Sequence, residues 1–328
     1  MSGRVQIPSA ARDGGVWHRS KTMVSTRALM VVTSTMMIFV SSLVGSSANA
    51  APRTARTYIY WTNYGQSGTG SSIGRSLLNG KQVNQKFITQ AQGPVGIAIS
   101  GNFLYWSNPG IDNGSPGTTI GRAKLNGTDV NPSFIKGLNS PHSIAIHGGY
   151  IYWVSRYGNT IGRARVNGTG INQHFITGAG GPWGLLINGG YIYWTNYGVG
   201  GGSGGTTIGR ARLDGTGVNQ SFISGASAPA GITASGNYLY WSNNGDNQAG
   251  TTIGRATLAG TDINQSFIKG ARAPSGLTAS GPYLYWSNFN GAHGIGGTTL
   301  GRARLNGTGV DQHFITGADS PVGIVIGR

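Results

Sequence analysis

Few residues in this chain could do chemistry. Beyond residue 50 there are seven aspartates and five histidines, and the sequence has no glutamate and no cysteine. Acid–base catalysis and metal-assisted hydrolysis need carboxylates or imidazoles that converge. The spacings work against convergence. His142 and His147 are five apart on one extended run, so they face opposite ways and cannot share a metal. His174, His293 and His313 are scattered, and Asp129, Asp262 and Asp311 fall in turns. Asp112 and Asp246 sit in glycine-rich loops, where solvation accounts for them. No Ser-His-Asp set is legible. We therefore expect no catalytic residue, no metal and no cofactor.

The residue types suit binding better. Six short apolar runs each follow a proline, and the residue after that proline changes from run to run: Val95, His142, Trp183, Ala230, Ser275 and Val322. His142 and Trp183 are the two large members, and Trp183 is the only tryptophan beyond residue 50 outside a Tyr-Trp pair. Six unequal glycine-rich loops lie at 64–72, 109–117, 156–159, 197–205, 244–250 and 289–297, with aromatic residues at Tyr64, Tyr157, Tyr197 and Phe289. Aromatic faces beside small polar residues suit sugars or peptides.

What must position these residues is a repeat. The tryptophans Trp61, Trp106, Trp153, Trp194, Trp241 and Trp286 recur at spacings of 45, 47, 41, 47 and 45. In step with them run Arg75, Arg122, Arg163, Arg210, Arg255 and Arg302, and a Phe-Ile pair that ends each unit. A period of this size marks stacked supersecondary units. Within one unit the runs Val95–Ile99, Phe103–Ser107, Thr118–Leu125 and Ser133–Ile135 read as strands. Asn126-Gly127 is a hairpin turn, because both residues tolerate positive φ. Four antiparallel strands in about 45 residues make a propeller blade. The chain starts on a second strand at Thr57 and finishes on a first strand at Pro321, so the last strand should complete the first blade and close the ring. The expected fold is all-β, a six-bladed β-propeller.

The wording of the repeat is specific. Leu104-Tyr105-Trp106-Ser107-Asn108, then Ile120-Gly121-Arg122, then Asn126-Gly127-Thr128 resembles the YWTD repeat of the low-density-lipoprotein-receptor class B family. The resemblance covers residues 57–328 and implies six blades, in a bacterial-style secreted, stand-alone version. Two features depart from that family. The motif aspartate is asparagine at Asn63, Asn108, Asn196, Asn243 and Asn288, and Ser155 in the third unit. The cysteine-rich modules that flank the receptor propellers are missing, so no receptor role is implied.

The repeated residues are expected to be structural. Tyr-Trp pairs should pack between blades, and each arginine should brace a blade by donating to carbonyls or motif asparagines. A second basic position, Lys124, Arg165, Arg212 and Arg304, is incomplete and reads as solvated charge. The sequons at Asn126, Asn167, Asn219, Asn264 and Asn306 are by-products of turn chemistry.

The ends set the compartment. Residues 1–22 read as an upstream extension. Residues 23–50 have a basic start at Arg27, an apolar stretch and an Ala48-Asn49-Ala50 cleavage site, the anatomy of a signal peptide. Residues 51–56 are a short linker and 57–328 the propeller. Five of the 24 basic residues and one of the eight aspartates precede residue 51, which leaves 19 against seven. Such a surplus favours anionic partners. The expected protein is a secreted, extracellular monomer with no membrane span after cleavage and no nucleic-acid partner. It would bind a glycan, cell-wall polymer or protein, possibly an anionic one, through the variable-loop face. The expected contacts are His142, Trp183 and Ser275 at the channel mouth and Tyr64, Tyr157, Tyr197 and Phe289 on the loops. The alternative is a secreted hydrolase or lyase with its site at the same mouth.

Overall fold

A computed structural model of the chain describes residues 56–66, 69–111, 115–198, 204–290 and 296–328. The upstream extension, the signal peptide and nearly all of the linker lie outside the described residues. Among the described residues, no helix is long and apolar enough to cross a membrane.

Six four-stranded antiparallel sheets account for the fold. Blade 1 holds β1 (Tyr58–Asn63), β2 (Ser72–Leu77) and β3 (Asn84–Ile88). Blade 2 follows as β4 (Ile97–Ser100), β5 (Phe103–Ile111), β6 (Ser115–Lys124) and β7 (Asn131–Ile135). Blade 3 is β8 (Pro141–His147), β9 (Tyr150–Ser155), β10 (Thr160–Arg165) and β11 (Asn172–Thr177). Blade 4 is β12 (Pro182–Asn188), β13 (Tyr191–Asn196), β14 (Thr207–Arg212) and β15 (Asn219–Ser224). Blade 5 is β16 (Pro229–Ser235), β17 (Tyr238–Asn243), β18 (Thr252–Thr257) and β19 (Asn264–Lys269). Blade 6 is β20 (Pro274–Ser280), β21 (Tyr283–Asn290), β22 (Gly296–Arg304) and β23 (Asp311–Thr316). The last strand, β24 (Pro321–Gly327), pairs with β1 and completes blade 1. Each inner strand touches the next, from β4 through β8, β12, β16 and β20 to β24 and back to β4. The ring is closed, and every blade has its inner strand.

Two loops are shorter than the sequence suggests. In blades 2 and 6 the strands run on to Ile111 and Asn290, and their partners begin at Ser115 and Gly296. Glycine-rich hairpin arms there keep ladder pairing that composition alone does not reveal.

The core lies in six seams between blades. Tyr105 of blade 2 packs in one cluster with Trp153 of blade 3, and Tyr285 of blade 6 with Trp61 of blade 1. Consecutive strand residues point to opposite faces, so each Tyr-Trp pair serves two seams. All six motif tryptophans are fully buried. The glycine of Ile-Gly-Arg explains itself at the same place. A Cβ on Gly254 would lie 2.3 Å from the Trp241 ring, so the indole lies flat against a backbone that must carry no side chain.

The arginines brace their blades in another way than expected. Arg75 places its guanidinium 4.5 Å from the Tyr58 ring centre and 3.8 Å from that of Phe87, and the same sandwich recurs in all six blades. Among the described residues, aromatic faces and the motif tyrosine hydroxyl, not carbonyls or motif asparagines, hold the cation. Burial raises the pKa of the Tyr60 hydroxyl, opposed by the Arg75 charge and a hydrogen bond from it. The asparagines tie the blade to its incoming chain. Asn63 Nδ2 donates to the Gln85 carbonyl at 2.8 Å, and its Oδ1 accepts from the Asp319 N–H at 3.1 Å. A carboxylate could not make the first of these bonds.

Candidate functional site

The motif Ser/Thr positions the channel mouth. Thr195 Oγ1 accepts from the Gly184 N–H at 2.8 Å and donates to the Ala230 carbonyl of the next blade at 2.7 Å. Ser242 repeats this with Gly231 and Ser275, and Ser287 with Gly276 and Val322. Thr62 and Ser107 do so with Val95 and His142 as acceptors. Each hydroxyl therefore pins one residue of the post-proline set. Glycine follows that residue because a Cβ on Gly184 would lie 2.1 Å from the Ala230 carbonyl oxygen.

Blade 3 breaks the pattern. Val154 replaces the hydroxyl and Ser143 replaces the glycine. Ser143 Oγ accepts from the Leu185 N–H at 3.2 Å, so one hydroxyl has moved from the second strand to the first. The Trp183 carbonyl is the one post-proline carbonyl that receives no motif hydroxyl.

All six post-proline residues converge on one cup at the variable-loop end of the channel. A second set joins them, the residue after the motif Asn or Ser: Tyr64, Arg156, Tyr197, Asn244 and Phe289. Gln248 lines it too, and the empty volume is about 500 Å3 including the open mouth. Of the seven expected contacts, His142, Trp183, Ser275, Tyr64, Tyr197 and Phe289 line the cup. Tyr157 does not; it is 59% exposed, one residue past the lining position. Arg156 and Asn244 carry no aromatic signal; their repeat position, one residue after the motif Ser or Asn, is what marks both.

The cup has two halves. Tyr64, Val95 and Val322 form an apolar wall against which Trp183 and Phe289 pack. Opposite stands a stack, with the Trp183 ring centre 4.8 Å from His142 and 4.9 Å from Tyr197. The Arg156 guanidinium lies 4.7 Å from the Trp183 centre and 5.2 Å from that of Tyr197. Tyr197 donates its hydroxyl proton to Asn244 Oδ1 at 3.1 Å. Asn244 is anchored by donating to the Ala273 and Pro274 carbonyls.

Electrostatics follow from burial. Desolvation, with the Arg156 charge adding to it, pushes the His142 pKa down to about 3, so the imidazole is neutral at physiological pH. Burial raises the Tyr197 pKa, opposed by Arg156. His142 is 5% exposed and Ser275 1% exposed, yet His142 Nδ1 and Ser275 Oγ have no hydrogen-bond partner. Arg156 Nε is a third unpartnered buried atom of this cup. Buried polar groups are nearly always paired, and these three stand unpaired at one cup.

Asp246 stands close enough to the cup for its charge to add to the rise of the Tyr197 pKa, and His293 and Asp112 lie outside the described residues. Asp246 accepts from the Gly204 N–H at 2.8 Å. Lys124 pairs with Asp129 at the exposed turn between β6 and β7. Asp311 is the first residue of β23 and caps the His313 N–H at 3.0 Å. Among the described residues, no three His, Cys, Asp or Glu side chains are grouped to hold a metal.

No known family profile matches the chain, and no curated protein does. Solved structures do resemble it. A chain of a nidogen/laminin complex superposes with a TM-score of 0.66 at 20% identity, over 83% of this chain and 98% of that one. A gluconolactonase of Xanthomonas campestris gives 0.52 at 15% identity, over 69% and 77%. Virginiamycin B lyase of Staphylococcus aureus gives 0.49 at 24% identity, over 68% and 70%. At such identities the likeness is one of fold. The chain resembles YWTD propellers in both its repeat wording and its six-bladed architecture.

Proposed function

We propose that the protein is an exported, monomeric binding propeller that takes an extracellular ligand into the cup around Trp183. The observation that carries this reading is the meeting of two irregular repeat positions in one cup that leaves His142 Nδ1, Ser275 Oγ and Arg156 Nε unpartnered. The partner is a glycan, a cell-envelope polymer or a protein. Both binding and catalysis occur on this fold, as the nidogen/laminin complex and the gluconolactonase illustrate. The cup's chemistry favours binding. A general acid or base works best with a pKa near the working pH, and His142 at about 3 is far from it.

The test is binding of the chain, purified from its culture medium, to glycan, cell-wall and protein arrays at two salt concentrations. Binding that tolerates salt and is lost in Trp183→Ala and weakened in His142→Ala supports the cup. Binding that vanishes with salt and ignores both substitutions removes it, because the diffuse positive charge then accounts for everything.

A further inference from the structure

We propose that the cup selects a sugar acid: a hydroxyl-rich ring that carries a carboxylate, with the carboxylate set on Arg156. The inference rests on the reading that the cup is a ligand site and names the chemistry it would read.

Arg156 is the starting point. Among the described residues it has no ion pair and no hydrogen bond; its contacts are the faces of Tyr157, Trp183 and Tyr197. The repeat arginines are also held by aromatic faces, but they sit within their own blades. Arg156 lines the cup instead. The three rings hold the guanidinium and leave its donors uncommitted, and a guanidinium so held can recognise a carboxylate.

The other orphans say what accompanies the charge. Neutral His142 and Ser275 both line the cup, are nine-tenths buried or more, and leave Nδ1 and Oγ unpaired. A carboxylate only accepts hydrogen bonds, whereas a sugar hydroxyl both donates and accepts, so it satisfies either tautomer of His142 and either sense at Ser275. The wall of Val95, Val322 and Phe289 meets the C–H face of such a ring. A peptide carboxylate would use Arg156 but brings fixed donors and acceptors, each of which fits only one tautomer of His142 or one sense at Ser275. A neutral sugar would leave the cation unanswered.

Calorimetric titration of the full chain tests this at about 0.15 M salt, where the Debye length of about 8 Å screens diffuse charge. The probes are D-galacturonate and D-glucuronate, tri-galacturonate as a chain end, D-galactose and D-glucose as neutral counterparts, and N-acetyl-aspartate amide. One ligand per chain is expected, with a uronate bound about tenfold or more tighter than its neutral counterpart, the scale of one charge-assisted contact. Arg156→Gln should erase that preference and Arg156→Lys should keep part of it. Ser275→Ala should weaken acid and neutral sugar alike. Tri-galacturonate binding more tightly than the monosaccharide assigns a polymer end as the source; equal binding assigns the free acid. Unchanged near-ultraviolet circular dichroism shows that the variants fold. The proposal is overturned if acid and neutral sugars bind equally, if the preference survives Arg156→Gln, if the aspartate amide binds more tightly than every uronate, or if no uronate binds at millimolar concentration. In each case, Trp183-dependent binding of any other array ligand leaves the cup as a ligand site; its absence removes both readings.

Discussion

Blades 3 and 5 have the same strand order and the same Tyr-Trp, Ile-Gly-Arg and Phe-Ile residues, yet only one of them is regular. In blade 5, Ser242 relays between Gly231 and Ser275, and Asn243 Oδ1 accepts from the Ser227 N–H at 3.1 Å. Trp241 Nε1 reaches Gln265 Oε1 at 3.0 Å. In blade 3, Ser155 takes the asparagine's place and its hydroxyl donates instead to the Asn139 carbonyl at 2.6 Å. Gln173 Oε1 then accepts the Asn139 N–H at 2.9 Å, and Trp153 Nε1 is left without a partner. One shortened side chain has redirected the glutamine and orphaned the indole. The changes in blade 3 stand beside His142, Arg156 and Trp183. The proposed site falls where one unit departs from the repeat, and the regular units show what was given up.

The comparison can be broken first at its common part. Trp241→Ala in the regular blade should lower unfolding stability by about 3–5 kcal/mol, read from denaturant midpoints. If Trp153→Ala costs as much, the lost indole hydrogen bond in blade 3 has little weight. The second test is pH. The folded His142 pKa lies below its ordinary value, at about 3, so the unfolded chain binds the proton first as pH falls. This contribution to stability is complete above about pH 6.5 and shrinks on the way down to pH 3 by up to about 1.4 kcal/mol per pH unit. Melts between pH 7 and 5 should show a drop that His142→Gln removes.

A sharper version exchanges the hydroxyl back. Val154→Ser alone adds a second buried hydroxyl beside Ser143 and should cost about 1–3 kcal/mol. Val154→Ser combined with Ser143→Gly restores the relay of the other five seams. The cycle should show favourable coupling of about 1 kcal/mol or more, and additivity would mean that the two substitutions are unrelated. The smallest effect is expected far from the cup. Lys124→Ala breaks the exposed pair with Asp129 and should change stability by about 0.5 kcal/mol at most, measured by thermal melting.

Much of this was legible in the chain. Period, strand pattern and turn residues are local signals, so six blades and the ring closure at Pro321–Gly327 follow from them. The post-proline set and Trp183 were legible for the same reason, since a position that varies stands out among neighbours that repeat. The glutamines were not. Gln85 accepts from Trp61 Nε1 and donates across the seam to the Thr316 carbonyl at 2.8 Å; glutamine recurs in phase at Gln173, Gln220, Gln265 and Gln312, but the repeat alone does not tell a seam-spanning staple from an exposed polar residue. The arginine partners were misread for the same reason. Tyr58, Arg75 and Phe87 are separated in sequence and meet only once three strands lie side by side.

By itself, then, the sequence determined the blades, their number, the order of the strands and the positions at which units differ. Those depend on φ preferences and side-chain alternation within a few residues. Only the tertiary structure decided that the two variable positions share one cup, that Arg156 rather than Tyr157 lines it, and that His142 and Ser275 are left without partners there. The reason is that the cup is made by all six blades closing on one axis. Which side chains meet across that axis depends on the register and twist of every blade, which no single repeat contains.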